Sequence, residues 1–199
     1  MAKAIYTIGY TAFPEPEQLI RALKEHGVQI LIDVRSTPFS AYYEAFNREP
    51  LSAALARNGI YYVSFARQFG ARQEDRSFYR DGRLDFEIFA RSPQFLEGVE
   101  AVERSRASVC LMCAEKDPST CHRAILVSRA FHERGDPVSH ITADGLLDQR
   151  DIEQRLLEAY FPERDQATLF SEDQMTERER IEQAYRLRND EIGFREEDL

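Results

Sequence analysis

Residues 113–123 read CAEKDPSTCHR and carry two thiols, a carboxylate, an imidazole and a guanidinium within one short stretch. A thiol becomes a nucleophile or a redox partner only as a thiolate, and helix N-termini and nearby cations favour that form. Cys113 closes an apolar run and stands where a strand gives way to a loop. Asp117 followed by Pro118 reads as an N-cap and first helical residue, so the local signals predict one helix over 118–134 that stops at Gly135. Cys121 then falls in its first turn, with His122 and Arg123 beside it. In this arrangement Cys113 is the candidate nucleophile or redox partner, with Cys121 a second reactive thiol. Glu115 is an acid or base, and Arg123 an anion clamp. A simpler reading competes for Cys121, which shares a helical face with Ala124, Ile125 and Ser128 and can pack there as a small apolar side chain.

Metal binding finds less support in the spacing. Structural zinc sites use close cysteine pairs, whereas Cys113 and Cys121 stand far apart and His26, His132 and His140 are scattered. An iron–sulfur cluster lacks its fourth thiolate, because Cys110, Cys113 and Cys121 are the only cysteines. Cys110 and Cys113 also point to opposite faces if they share a strand. The sequence therefore assigns no metal ligand and leaves the cofactor unknown.

The elements around these residues alternate. KAIYTIGY reads as a strand, EPEQLIRALKEHG as a helix, and VQILIDVR as a strand apolar enough to be buried on both faces. PLSAALARNG is a short helix, IYYVSF a third strand, 94–106 a helix, SVCLMCA a fourth strand, PVSHIT a fifth, and LLDQRDIEQRLLEAYF a helix. Residues 66–85 show no period and read as one long charged loop. This pattern predicts an α/β domain over 1–161, a mostly parallel sheet of about five strands with helices on both faces, and an acidic polar tail over 162–199 that could hold a helix. With the first strand central, flanked by the second and fourth, the strand ends bring Gly9, Tyr10, Asp33, Arg35 and Ser36 into one crevice with Cys113. Asp33 would orient a polar substrate and Arg35 would hold an anion.

The chain of 199 residues has a net charge of −9. Phe161–Leu199 alone holds twelve acids against six arginines, whereas Arg35–Arg83 is locally +3 and contains ten of the 22 aromatics. Arginine interleaved with aromatics suits phosphates and bases, although the overall acidity argues against a binder driven by electrostatics. No apolar run reaches the length of a membrane span, and the start resembles no signal peptide. The odd number of cysteines fits a reducing cytoplasm better than a disulfide framework. In the tail, Gln166, Leu169 and Phe170 of QATLF look like a peptide that binds a bacterial sliding clamp. The same apolar pair can instead fold back on the body.

TIGYT, LIDVRSTPFS, the GIYY strand and LMCAEKDPSTCHR, in this order over about residues 5–142, resemble the domain of unknown function 488 family. That family's usual Thr-Ile-Gly-His-Ser is here TIGYT, with Tyr10 where the histidine stands, and QFGAR replaces Leu-Gly-Gly-Arg. LIDVRS also looks like the Asp-Val-Arg strand of rhodanese-type sulfurtransferases, but their arginine follows the cysteine within a few residues and Arg123 follows Cys113 by ten. The resemblance implies a fold and a site rather than a reaction. The residues suggest an enzyme acting on an anionic or nucleotide-like ligand. The alternative is a binding module of nucleic-acid metabolism with structural cysteines.

Overall fold

A computed structural model of the chain describes residues 4–163 and 175–198. The central strands are short, apolar and almost wholly covered, as expected of strands packed between helical layers. In chain order the elements begin with β1 (Ile5–Gly9), α1 (Pro16–Glu25), β2 (Ile30–Asp33), α2 (Arg48–Arg57), β3 (Tyr61–Ser64) and α3 (Ala66–Phe69). They continue with β4 (Tyr79–Arg80), β5 (Arg83–Leu84), α4 (Phe86–Ala90), α5 (Pro93–Arg104) and β6 (Val109–Cys113). A π-helical segment, Arg123–Ser128, runs into α6 (Arg129–Glu133), followed by β7 (Val138–Thr142), β8 (Gly145–Asp148), α7 (Gln149–Tyr160) and α8 (Glu177–Ile192).

The architecture is α/β, as expected, with six strands in the order β3-β2-β6-β1-β7-β8. All pairings are parallel except that of β8 with β7. The expected neighbours of β1 need one correction. The fourth strand of the sequence reading, β6, lies between β2 and β1, so β1 is flanked by β6 and β7. Strand alternation divides the core in two. Val109, Leu111 and Cys113 pack on one face with Val34, Phe95 and Phe131, while Cys110 and Met112 pack on the other with Leu19, Leu51 and Tyr10.

Three local expectations change. The long loop at 66–85 contains α3 and the β4–β5 hairpin, whose strands are only two residues each. Leu146 and Leu147, read as the start of a helix, belong to β8, and the helix begins after the Asp148 N-cap. The single helix over 118–134 is broken: Asp117 caps a 3-10 turn over Pro118–Thr120, and Cys121 is extended at φ −128°, ψ 137°. The Asp-Pro signal was real, but it serves one turn.

The helix in the tail forms and docks. Thr176 and Glu179 make a capping box at the start of α8. Asn189 accepts the Phe86 N–H at 2.9 Å and donates to the Leu84 carbonyl at 2.8 Å. Tyr185 is buried against α7 and the π-helical segment. Gln166, Leu169 and Phe170 lie outside the described residues. Among the described residues, no helix is long and apolar enough to cross a membrane.

Candidate functional site

The site is built where β6 ends. The parallel register sets Gly9 beside Cys113, and the Val34 N–H donates to the Met112 carbonyl, so the ends of β1 and β2 flank Cys113. The chain then passes through the exposed residues Glu115–Asp117 and returns at Cys121. Gly9 permits that return. A Cβ there would stand 1.9 Å from the Glu115 carbonyl oxygen.

Cys121 takes the place of an N-cap. Its carbonyl accepts the Ala124 and Ile125 N–H groups, and its sulfur receives the Arg123 N–H at 3.5 Å. The helix that follows thus presents its positive end to the thiol. Ser128 donates to the Arg123 carbonyl at 2.7 Å, bridging the wider π turn.

Four donor groups converge here. Glu115 Oε2 lies 2.9 Å from both Cys113 Sγ and Cys121 Sγ. His122 Nδ1 lies 3.6 Å from Cys113 Sγ and 4.0 Å from Cys121 Sγ. One atom from each of the four residues fits within 4.8 Å of the others. His122 Nε2 is 3.1 Å from the Val34 carbonyl. A carbonyl only accepts, so that nitrogen carries a proton and Nδ1 faces the sulfurs, offering them its lone pair whenever the ring is neutral.

Electrostatics separates the two thiols. Burial pushes the Cys113 thiol up, and contact with Cys121 and Glu115 pushes it further. Burial acts on Cys121 in the same sense, but its hydrogen bond with Cys113 and the charges of Arg123 and His122 outweigh that and bring its pKa down. Glu115 is raised by burial of its carboxylate and by the Cys121 charge. His122 is opposed by burial yet raised overall by Cys121 and Glu115. Cys110 points to the other face, where burial alone pushes its thiol up, and takes no part.

Arg123 is fully buried and braces the cluster. It donates to the Glu115 carbonyl at 2.6 Å, to the Lys116 carbonyl at 3.3 Å and to Thr7 Oγ1 at 3.4 Å. Its expected role as an anion clamp is therefore replaced by a grip on backbone carbonyls. Behind it, Thr7 meets His140 Nδ1 at 2.8 Å, and His140 Nε2 meets Gln149 Oε1 at 2.9 Å. Gln149 Nε2 then donates to the Ala124 carbonyl at 3.1 Å and to Tyr185 at 2.8 Å. The sequence reading gave His140 only a strand end and missed Thr7 and Gln149. Thr7 stood inside the quoted TIGYT motif without a role of its own, and Gln149 reads as an ordinary polar residue at the start of a helix.

The second half of the expected crevice lies at the same sheet edge but on the opposite face. Asp33 and Arg35 form a buried pair, with Arg35 Nη2 at 2.6 Å from Asp33 Oδ2 and at 3.0 Å from the Phe46 carbonyl. Tyr62 donates to Asp33 at 2.6 Å. The Arg35 guanidinium lies 5.0 Å from the Tyr10 ring centre, and Tyr10 stacks on Phe46 at 4.9 Å. Among the described residues only Nη1 of Arg35 lacks a partner in this group. Ser36 receives the Arg72 N–H at 2.7 Å and ties down the following loop. The exposed aromatics Phe39, Tyr42 and Tyr43 follow Ser36, while Arg67, Arg76 and Arg80 of the basic stretch pair with Glu97, Glu196 and Asp85.

Comparison with curated proteins gives no match, and comparison with solved structures gives none. The family described as "Domain of unknown function DUF488" matches residues 15–130, a span that holds β2, β6 and all four converging donors. More than half of the chain fits that family, and the chain belongs to it.

Proposed function

We propose that this domain binds one zinc-class divalent ion through Cys113, Glu115, Cys121 and His122. The observation that carries this reading is the convergence of four donors within 4.8 Å, with the far nitrogen of His122 held by a backbone carbonyl. Two thiolates, an imidazole and a carboxylate are a donor set suited to tetrahedral zinc. The carbonyl behind the histidine fixes ring and tautomer as outer partners of metal ligands do. Tetrahedral bonds of about 2.0–2.3 Å place neighbouring donors roughly 3.3–3.8 Å apart. The sulfur–nitrogen separations of 3.6 and 4.0 Å lie close to that range. The 2.9 Å sulfur–oxygen contacts are hydrogen-bond distances, which lengthen when an ion replaces the shared protons.

Spacing alone argued against a metal because it counted cysteine pairs. Folding supplies the missing donors by bringing Glu115 and His122 between the two thiols. The test is elemental analysis of the purified protein, with titration of metal-stripped protein by Co2+. The reading expects one equivalent of metal and a thiolate-to-cobalt charge-transfer band, lost in Cys113→Ser and Cys121→Ser. Neither bound metal nor charge transfer in the wild-type protein would overturn it.

A second reading is supported by the acidified Cys121 beside a second thiol. As a dithiol, Cys121 would attack a small external disulfide and release one thiolate. Cys113 would then displace the second, leaving a Cys113–Cys121 bond and two electrons on the reduced partner. Metal-stripped protein exposed to glutathione disulfide would lose two hydrogens by intact mass. A stable glutathione adduct or unreacted thiols would count against this chemistry.

A further inference from the structure

Within the zinc reading above, on which this inference rests, the four ligands are not equivalent. Cys113, Cys121 and His122 are 3%, 1% and 8% exposed and belong to the packed end of the sheet. Glu115 comes from the exposed run Glu115–Asp117 and turns its carboxylate inward. Moving the Glu115 side chain outward gives up its contacts with the two sulfurs, whereas displacing any of the other three means opening the core.

Charge points the same way. A dication and two thiolates are neutral together. Arg123 adds a positive charge at zero exposure, and its hydrogen bonds go to two carbonyls and a hydroxyl; among the described residues it forms no ion pair. The three buried ligands with Arg123 therefore leave a net +1, which Glu115 balances. Whatever replaces Glu115 beside these buried groups must also bring one negative charge.

We infer that Glu115 is an exchangeable ligand, and that the site takes a small carboxylate-bearing ligand in its place, bound through one carboxylate oxygen. Cys113, Cys121 and His122 with one exchangeable position make a three-ligand open centre of the kind that polarises a bound group rather than one that only staples a fold.

The experiment uses the full chain loaded with one equivalent of Co2+ and acetate as the probe, read by the cobalt d–d bands. Glu115→Ala should keep the thiolate charge-transfer band, bind cobalt about tenfold more weakly, and titrate with acetate at least about tenfold more tightly than the wild type. Cys121→Ser, checked for a native circular-dichroism spectrum, should lose the band. Cobalt loss in Glu115→Ala as complete as in Cys121→Ser would make Glu115 a permanent ligand and overturn the inference. Cobalt bands in Glu115→Ala that do not respond to acetate would overturn it too, by showing a closed site. A wild-type protein that takes up no cobalt would instead bring down the zinc reading itself.

Discussion

Gly9 is the residue whose replacement most directly reaches the thiol cluster without removing a ligand. A Cβ at this position would meet the Glu115 carbonyl oxygen at 1.9 Å and the Arg123 Nη1 at 3.2 Å. The clash is with backbone, so it cannot be relieved by rotating a side chain. Gly9→Ala should lower stability by about 1–3 kcal/mol in urea unfolding, as overpacking does, and, if the proposed zinc reading holds, weaken cobalt uptake as well. Unchanged cobalt affinity in a destabilised Gly9→Ala protein would show that the loop can shift without moving Glu115. The residue scale also contains a charge that the sequence could not place. Arg123 beside two thiols suggested an anion clamp, yet complete burial directs its donors to carbonyls that would otherwise lack partners.

At the scale of elements, the break before Cys121 sets the geometry. A helix running unbroken from Pro118 would have kept Cys121 helical, whereas it is extended at φ −128°, ψ 137°. The 3-10 turn ends instead, and one extended residue starts the next helix with its thiol at the N-cap position. Asp117 holds that turn through the Ser119 N–H at 2.9 Å and the Ser119 hydroxyl at 2.8 Å. Asp117→Ala should cost about 1 kcal/mol, the usual loss for a missing cap, seen as a lower urea midpoint at unchanged m-value. Asp117→Asn should restore most of it. Equal losses in the two variants would assign the effect to the charge of Asp117, 3.5 Å from Arg155, rather than to the cap.

Across the whole molecule, two buried polar connections join the site face to distant segments. His140 sits between Thr7 and Gln149, and burial together with the Arg123 charge lowers its pKa to about 4 from 6.5. The folded protein therefore binds fewer protons than the unfolded chain between these values. This stabilisation is complete above pH 6.5 and is lost as pH falls toward 4, about 3 kcal/mol in all. Unfolding curves between pH 7.5 and 4 should show that decline in the wild type and a shallower one in His140→Gln. Identical slopes would mean that folding leaves the His140 pKa where it stands in the unfolded chain. The second connection holds α8, where Asn189 serves the backbone groups of Leu84 and Phe86. Asn189→Ala strands both groups and should cost about 1–3 kcal/mol. Hydrogen exchange should rise first in α8; an increase confined to β1 and β6 would contradict a local docking role.

The sequence by itself determined the layers. ILI and VCLMC are continuous apolar runs, and strands covered on both faces bury such runs, so β2 and β6 and their helical cover were legible. It also determined that Cys113 ends a strand and that Cys110 faces away, because strand alternation is local. The β4–β5 hairpin was illegible: two-residue strands of Tyr-Arg and Arg-Leu carry no period. Leu146-Leu147 misled because two adjacent leucines fit either a helix or a strand, and pairing with β7 decided between them. The candidate site was half legible. Its residue types stood together in CAEKDPSTCHR, but Asp33 and Arg35 shared only the sheet edge with them, since Asp33 at the end of β2 and Arg35 two residues on lie on the face away from Cys113. Strand order, close approach at Gly9 and the extended Cys121 were decided by tertiary structure alone. The pairing of β1 with β6 and the approach of Glu115 to Gly9 join segments about a hundred residues apart in sequence, which no local pattern encodes.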